Sequence, residues 1–385
     1  MTKKQSKRWG WKGKASLLLG SVVVSAVILE LGVLVMIGEQ AKFPRHVVGA
    51  DFGVRINRPN SRYRHKSADV CITFRINGQG MRAGRDYVYE KPAGVQRIVS
   101  LGDSFTIGYE VDLEQCFSSV LERELRAVGH EVELLNAGVS GYSTAESLFY
   151  LERELFKYDP DIVLISFYGN DLVDNVRTNL FRLNKGELVR MADRYVPAGG
   201  FGDFLNSNGF FNFLSERSNA FVALKETATE IVKQSMVRQN LDHVQNAQEG
   251  VRTGTATVTL SPVDGSQGQP MLVKAGKEYD RRLTSAIFEQ LYAVARERGI
   301  PLVIHSIPTP NYKQMLLREM FPLDMFDSNR PGVYFFSAKT VLNDHFGQRQ
   351  LYWDRSQGHW TPFSHEVAGK TLARLVLEEE LLTER

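Results

Sequence analysis

The stretch VQRIVSLGDS, Val95 to Ser104, decides how this chain is read. It is a short apolar run that stops at Gly102 and is followed at once by two polar residues, the pattern of a buried strand ending in a turn. Similar runs recur downstream. EVELL, Glu131 to Leu135, runs into Asn136, and DIVLISF, Asp161 to Phe167, runs toward Gly169. PLVIHSI, Pro301 to Ile307, follows a helical pattern from Tyr279 to Arg298, and Val333 to Phe336 supplies a fifth candidate strand. Between the strands the spacing turns helical. Asp112 with Gln115 forms a capping box ahead of Phe117, Val120, Leu121 and Leu125, and Ser143 with Glu146 forms another ahead of Leu148, Leu151 and Leu155. Thr361 caps a last helix, Pro362 to Leu382, with proline in its first turn. Strands apolar nearly throughout belong to the middle of a parallel sheet. Repeated strand-helix-strand units imply right-handed crossovers, so the fold class is α/β with a doubly wound sheet.

Ligands of such a sheet bind at the carboxyl ends of the strands. Four polar clusters fall there or just before the last helix: Gly102-Asp103-Ser104, Asn136 to Gly141, Gly169-Asn170-Asp171, and Asp354 to Trp360. Together they contain what acyl transfer requires. A serine hydroxyl is a weak nucleophile and needs a base, for which Ser104 has His359. A tetrahedral intermediate needs preorganised donors, which the Ser104 N–H, the Gly141 N–H and the Asn170 amide supply. Glycine at 141 lets backbone approach a substrate with no Cβ in the way, and Gly138 is the alternative position. Asp103 and Asp171 read as loop-holding residues. His365 reads as a packing or surface residue and Trp360 as a wall of the site. No zinc-ligand spacing occurs among the histidines, and Gly78, Gly80 and Gly84 form no dinucleotide fingerprint, so no metal or cofactor is expected.

The blocks Gly102-Asp103-Ser104, Gly141, Gly169-Asn170-Asp171 and His359, in that order, resemble the SGNH (GDSL-type) hydrolases. The resemblance covers about residues 95–180 and 285–385. It implies a flavodoxin-like three-layer sandwich around five parallel strands, a serine nucleophile near the start of the domain, and no metal or organic cofactor. No Gly-x-Ser-x-Gly elbow surrounds Ser104, which sets the chain apart from ordinary α/β-hydrolases. One position departs from the pattern. The family places its acid three residues before the histidine, and Ser356 stands there. Asp354, five residues before His359, is the expected acid, with a backbone carbonyl in its place as the alternative and Asp344 as a weaker candidate.

Outside that domain, residues 15–38 are expected as an uncleaved membrane anchor, with a cleaved signal peptide and a buried core helix as the alternatives: Ala15 to Ile37 carries only Glu30 as a charged residue. At about 1.5 Å per residue the run spans a hydrocarbon core of about 30 Å. Glu30 reads either as a carboxyl near the outer interface or as a contact for a polar membrane partner. Lys3, Lys4, Lys7, Arg8, Lys12 and Lys14 precede it, with Trp9 and Trp11 at belt height, so residues 1–14 are expected in the cytoplasm and the rest outside. With those six set aside, 41 basic residues face 44 acidic ones, so the net +3 gives no ground for nucleic-acid binding. Residues 39–94 are expected as a stalk with a β hairpin, in which Val70, Ile72, Phe74 and Ile76 share one face before a turn at Asn77-Gly78. Residues 180–280 are expected as an insertion, with a helix from Asn219 to Met236 and a hairpin from Val251 to Val263. Cys71 and Cys116 are the two cysteines, and export would permit their pairing. The expected activity is a serine esterase acting on an acyl ester of a lipid or envelope glycan. An O-acyltransferase with the same residues and a non-catalytic scaffold are the alternatives.

Overall fold

Alternation along the apolar runs builds one parallel sheet with two covered faces. The computed structural model describes residues 10–44, 46–196, 208–249, 277–356 and 358–382. The strands of this sheet are β1 (Gln96–Leu101), β2 (Val132–Asn136), β3 (Ile162–Phe167), β4 (Leu302–Ser306) and β5 (Val333–Ser337), in the order β5-β4-β3-β1-β2. All four ladders are parallel, as the near-continuous apolar strands require. In β1, Ile98 packs on one face while Val99 and Leu101 pack on the other.

Besides a single turn at Lys339–Leu342, the α-helices of the described residues are, in chain order, α1 (Trp11–Met36), α2 (Ser104–Ile107), α3 (Phe117–Ala127), α4 (Thr144–Arg153), α5 (Asp171–Thr178), α6 (Gly209–Arg217), α7 (Asn219–Glu249), α8 (Lys277–Glu297) and α9 (Pro362–Glu378). Leu148 and Leu151 of α4, Val176 of α5 and Ile287 and Leu291 of α8 fill the core on one side of the sheet. Phe117, Leu121 and Leu125 of α3 with Leu372 and Val376 of α9 fill the other. The result is the three-layer α/β sandwich expected of the sequence.

Three local expectations change. The Asp112 capping box forms, but it closes a single 3-10 turn at Leu113–Gln115; Cys116 is extended and α3 starts after it. The helix foreseen from Asn219 continues to Glu249, and the last helix stops at Glu378. The hairpin foreseen at 251–263 lies outside the described residues. The cysteines are both free thiols, Cys71 exposed on a strand and Cys116 buried before α3, so they do not pair here.

The segment read as a stalk with a hairpin does carry the hairpin: Arg62–Lys66 pairs antiparallel with Cys71–Arg75, Tyr63 opposite Phe74 and His65 opposite Ile72. It is no free spacer, however. Val54, Met81 and Tyr87 join the main core, and Tyr63, Ile72, Phe74 and Ile76 pack on Ile107, the last residue of α2, and on Tyr109 just beyond it. The apolar face of a two-stranded hairpin needs cover of this kind to be stable. Of α1, by length and composition, it can be said that it is long and apolar enough to cross a membrane.

Candidate active site

Ser104 opens α2 directly beyond β1. Gly102, at φ 143, makes the turn, and a Cβ there would stand 2.3 Å from Thr106 Oγ1. Asp103 caps α2, its carboxylate accepting from the Phe105 N–H at 2.9 Å. Helix geometry leaves the Ser104 N–H without an intrahelical acceptor. His359 stands on the loop ahead of α9, with Nε2 2.8 Å from Ser104 Oγ. Phe105 and Tyr109 flank the imidazole with ring centroids at 5.1 and 5.3 Å.

The structure does not bring Asp354 to this imidazole. Asp354 is exposed and accepts from Gln350 Nε2 at 3.0 Å, and Asp344 is exposed on a 3-10 turn. Glu110 occupies the place expected for Asp354. Its Oε2 lies 3.4 Å from His359 Nδ1, while Oε1 lies 3.3 Å from His65 Nε2. The first separation is longer than a formed hydrogen bond, and neither of those two atoms has a hydrogen-bond partner elsewhere. Glu110 is wholly buried. Burial pushes its pKa up, but His359 and His65 outweigh burial and hold it well below the usual carboxylate range. His65 is driven down by burial, against the pull of Glu110, and is the neutral donor of that contact. With a carboxylate at Nδ1, the proton of His359 belongs on Nδ1, leaving Nε2 to accept from serine.

Glu110 reaches this position through an unusual backbone. Its φ is 66, a left-handed conformation costing on the order of 1–2 kcal/mol for a residue with a Cβ. Buried Arg82 holds the turn, donating from Nη1 to the Ile107 carbonyl and from Nη2 to the Val111 carbonyl, each at 2.7 Å, and also from Nη1 to the Gly108 carbonyl. Its guanidinium lies 4.1 Å from the Phe74 ring centroid. Trp353 Nε1 donates to the Glu110 carbonyl at 3.2 Å, latching the turn to the histidine loop. The hairpin holds the same loop from the other side. Ser356, where the family has its acid, donates from Oγ to Asp69 Oδ2 at 2.7 Å, and Asp69 also accepts from the Arg355 N–H.

The other predicted blocks converge on this rim. Asn170 stands at the amino end of α5 beside Asp103, and its Nδ2 donates to Asp174 Oδ2 at 3.2 Å while its Oδ1 is buried without a partner. Gly141 has φ 68, and its carbonyl accepts from Arg55 and Arg177 at 2.8 and 2.9 Å. No atom lies within 4 Å of the place its Cβ would take, whereas a Cβ on Gly138 would sit 2.4 Å from the Ile107 nitrogen. Gly138 is thus a packing glycine, and Gly141 is the one facing open space. Asp103 is pushed up to about 6 by burial, and Asp171 is driven well up by burial and by Asp103. Asp171 accepts from the Tyr168 N–H at 2.9 Å and from Thr144 Oγ1 at 3.1 Å, a loop-holding arrangement. Trp360 and His365 are core residues: Trp360 is fully buried edge-on to Phe105, and His365 Nδ1 accepts from the Phe117 N–H. Among the described residues no group of three or more His, Cys, Asp or Glu side chains is placed to hold a metal.

Glu110 and His65 are the residues that sequence reasoning missed. Nothing in Gly108-Tyr109-Glu110-Val111 marks a left-handed acid. His65 did carry a signal, since Tyr63 and His65 alternate with Arg62, Arg64 and Lys66 and so share the covered face of a strand.

A five-stranded parallel α/β sheet with Ser104, His359 and Glu110 gathered at its carboxyl rim is the SGNH-like architecture. The profile of the GDSL-like lipase/acylhydrolase family matches residues 100–367, well over half of the chain. The chain belongs to that family. It is 34% identical over 96 residues to an arylesterase of Vibrio mimicus, covering 25% of this chain and 48% of that protein. It is 30% identical over 79 residues to esterase TesA of Pseudomonas aeruginosa, covering 20% and 39%. The chain thus spans about half or less of the length of these curated relatives. Among solved structures it is similar to a putative lipolytic protein of the G-D-S-L family from Desulfitobacterium hafniense, at 11% identity and TM-score 0.36, covering 73% of this chain and 99% of that one. A lipase/acylhydrolase from Enterococcus faecalis gives 14% identity and TM-score 0.34, covering 74% and 96%.

Proposed function

We propose that the chain hydrolyses an acyl ester through a covalent intermediate on Ser104. The observation that carries this reading is the 2.8 Å contact between Ser104 Oγ and His359 Nε2, backed at Nδ1 by the Glu110 carboxylate. Ser104 Oγ attacks the ester carbonyl as His359 takes the hydroxyl proton. The oxyanion is received by the N–H groups of Ser104 and Gly141 and by the Asn170 amide. Collapse breaks the bond to the alcohol oxygen, which leaves with the proton from His359. Water then gives a proton to His359 and attacks the acyl-serine, and the second collapse returns the proton to Ser104 and frees the carboxylic acid. Glu110 keeps the imidazole in the required tautomer and stabilises its cation throughout. Its contact at 3.4 Å needs to shorten by a few tenths of an ångström, a tightening common between a resting site and its substrate complex.

Residues 15–38 act in this reading as an uncleaved anchor, with the domain on the exported side. The basic flank before the apolar run supports that orientation. The substrate class that suits the location is an acyl ester of a lipid or an envelope glycan.

The test is the full chain in detergent with p-nitrophenyl acetate and longer acyl esters, beside Ser104→Ala and His359→Ala. Turnover lost in both variants, and fluorophosphonate labelling lost in Ser104→Ala, is expected. An unlabelled wild-type protein with no activity on any ester would overturn the proposal. Product formed only when a glycan acceptor is supplied would make it an acyltransferase.

A further inference from the structure

Glu30, the one charge in the apolar run, has a full set of partners. Its Oε2 accepts from Ser218 Oγ at 2.8 Å and from the Ala220 N–H at 3.0 Å. Its Oε1 accepts from the Asn219 N–H at 2.7 Å and from Asn219 Nδ2 at 2.8 Å. These donors form the corner between α6 and α7, so a carboxylate of α1 caps the amino terminus of α7. Asn219 Oδ1 in turn accepts from the Gln40 N–H at 2.9 Å and from Lys42 Nζ at 3.2 Å, tying in the chain that leaves α1.

The depth of this knot follows from α1. A hydrocarbon core of about 30 Å takes about 20 residues, and a span beginning after Lys14 ends near Leu34. Glu30 then lies about 6 Å inside the far boundary at about 1.5 Å per residue. A carboxylate held by four donors cannot be at that depth unless its donors are there too. The corner is built for such a place. Phe210 and Phe213 of α6 and Leu224 of α7 are exposed, and the Arg217 guanidinium lies 4.8 Å from the Phe213 ring centroid, as a cation does when its stem covers apolar surface and its head reaches water. Phe211 meets Phe221 edge-on at 5.0 Å and locks the two helices together.

We infer that the α6–α7 corner docks in the outer leaflet of the bilayer that α1 crosses, with the phospholipid headgroup and acyl boundary as its partner. The inference rests on the proposed uncleaved anchor. Docking fixes the reaction site relative to the membrane, because α7 runs on past it: Lys225 Nζ lies 4.9 Å from the Phe43 ring centroid, and Phe43 stacks on His65.

The experiment places a nitroxide at Phe213→Cys, at Leu224→Cys and at Val128→Cys on the opposite face of the sheet. Each is made in the full chain with Cys71→Ser, in vesicles of phosphatidylethanolamine and phosphatidylglycerol at 3:1. Oxygen is expected to relax the labels at 213 and 224 more than a water-soluble nickel chelate does, with the reverse at 128. The same nickel-dominated pattern at all three sites, in protein that resists carbonate extraction, overturns the docking. Protein released by carbonate overturns the anchor and the docking with it. In Glu30→Leu, which keeps the span and removes the clamp, the label at 224 is expected to shift toward nickel access. No shift would overturn the role of Glu30.

Discussion

Glu110→Gln is the sharpest probe of this site, because it keeps volume and removes the charge behind the histidine. Glu110 Oε2 is 3.4 Å from His359 Nδ1, and spreading the cation over the ring sets the effective separation at about 4 Å. At an effective dielectric near 20 the attraction is about 4 kcal/mol, or roughly 10³ in rate. The amide adds a second penalty. Two histidines face Glu110, one at each oxygen, and a glutamine has one acceptor only. One histidine must change tautomer, and a flip at His359 places a proton on the nitrogen that should accept from Ser104. An acid-to-amide change behind a triad histidine costs about 10⁴ in turnover. The expectation is therefore a kcat lower by about 10³ to 10⁴ on p-nitrophenyl acetate, with KM little changed. Circular dichroism and the thermal midpoint verify that the buried substitution is tolerated, and Glu110→Asp should recover part of the loss. Asp354→Asn, made in parallel, should leave kcat within about threefold, since an exposed carboxylate contributes little. A Glu110→Gln enzyme near wild-type activity beside a crippled Asp354→Asn enzyme would refute the assignment.

Asn170→Ala should lower kcat by on the order of 10² to 10³ as the loss of an oxyanion donor, read from steady-state kinetics; an unchanged rate would remove it from the site. Gly138→Ala should destabilise the fold by about 1–3 kcal/mol and reduce activity, because its Cβ meets α2 backbone 2.4 Å away. Gly141→Ala should cost only about 1–2 kcal/mol in stability, for its left-handed φ of 68, while lowering kcat/KM; denaturant titration and kinetics on both variants separate packing from chemistry. Asp103, pushed up to about 6 from an ordinary 3.8, makes the native state bind more protons than the unfolded chain between about pH 4 and 6. Its contribution therefore erodes stability as pH rises through that window and is relieved below it. Asp103→Asn keeps the cap acceptor and should flatten the fall in thermal midpoint between pH 4 and 7, and an unaltered slope would contradict the buried charge.

The inner strands β1, β3 and β4 were legible in the sequence because burial on both faces leaves a largely apolar run, and both capping boxes formed because their partners are three residues apart. The blocks of Ser104, Gly141 and Asn170 were expected on one rim because they follow strands of a parallel sheet, and His359 meets Ser104 there at 2.8 Å. The acid was not legible, because its address depends on a backbone angle and on a separate layer. Glu110 reaches the imidazole only from φ 66, held by Arg82 and covered by a hairpin from the segment read as a stalk. That hairpin also explains the vacancy at Ser356. Asp69 brings a carboxylate from the hairpin to the Ser356 hydroxyl and the Arg355 N–H, fixing the loop in which the family has its own acid. A segment that contributes His65 to the Glu110 carboxylate and Asp69 to the histidine loop cannot be removed without loosening both. Deleting residues 39–94 should therefore abolish activity even where the sheet still folds, whereas a spacer could be shortened freely.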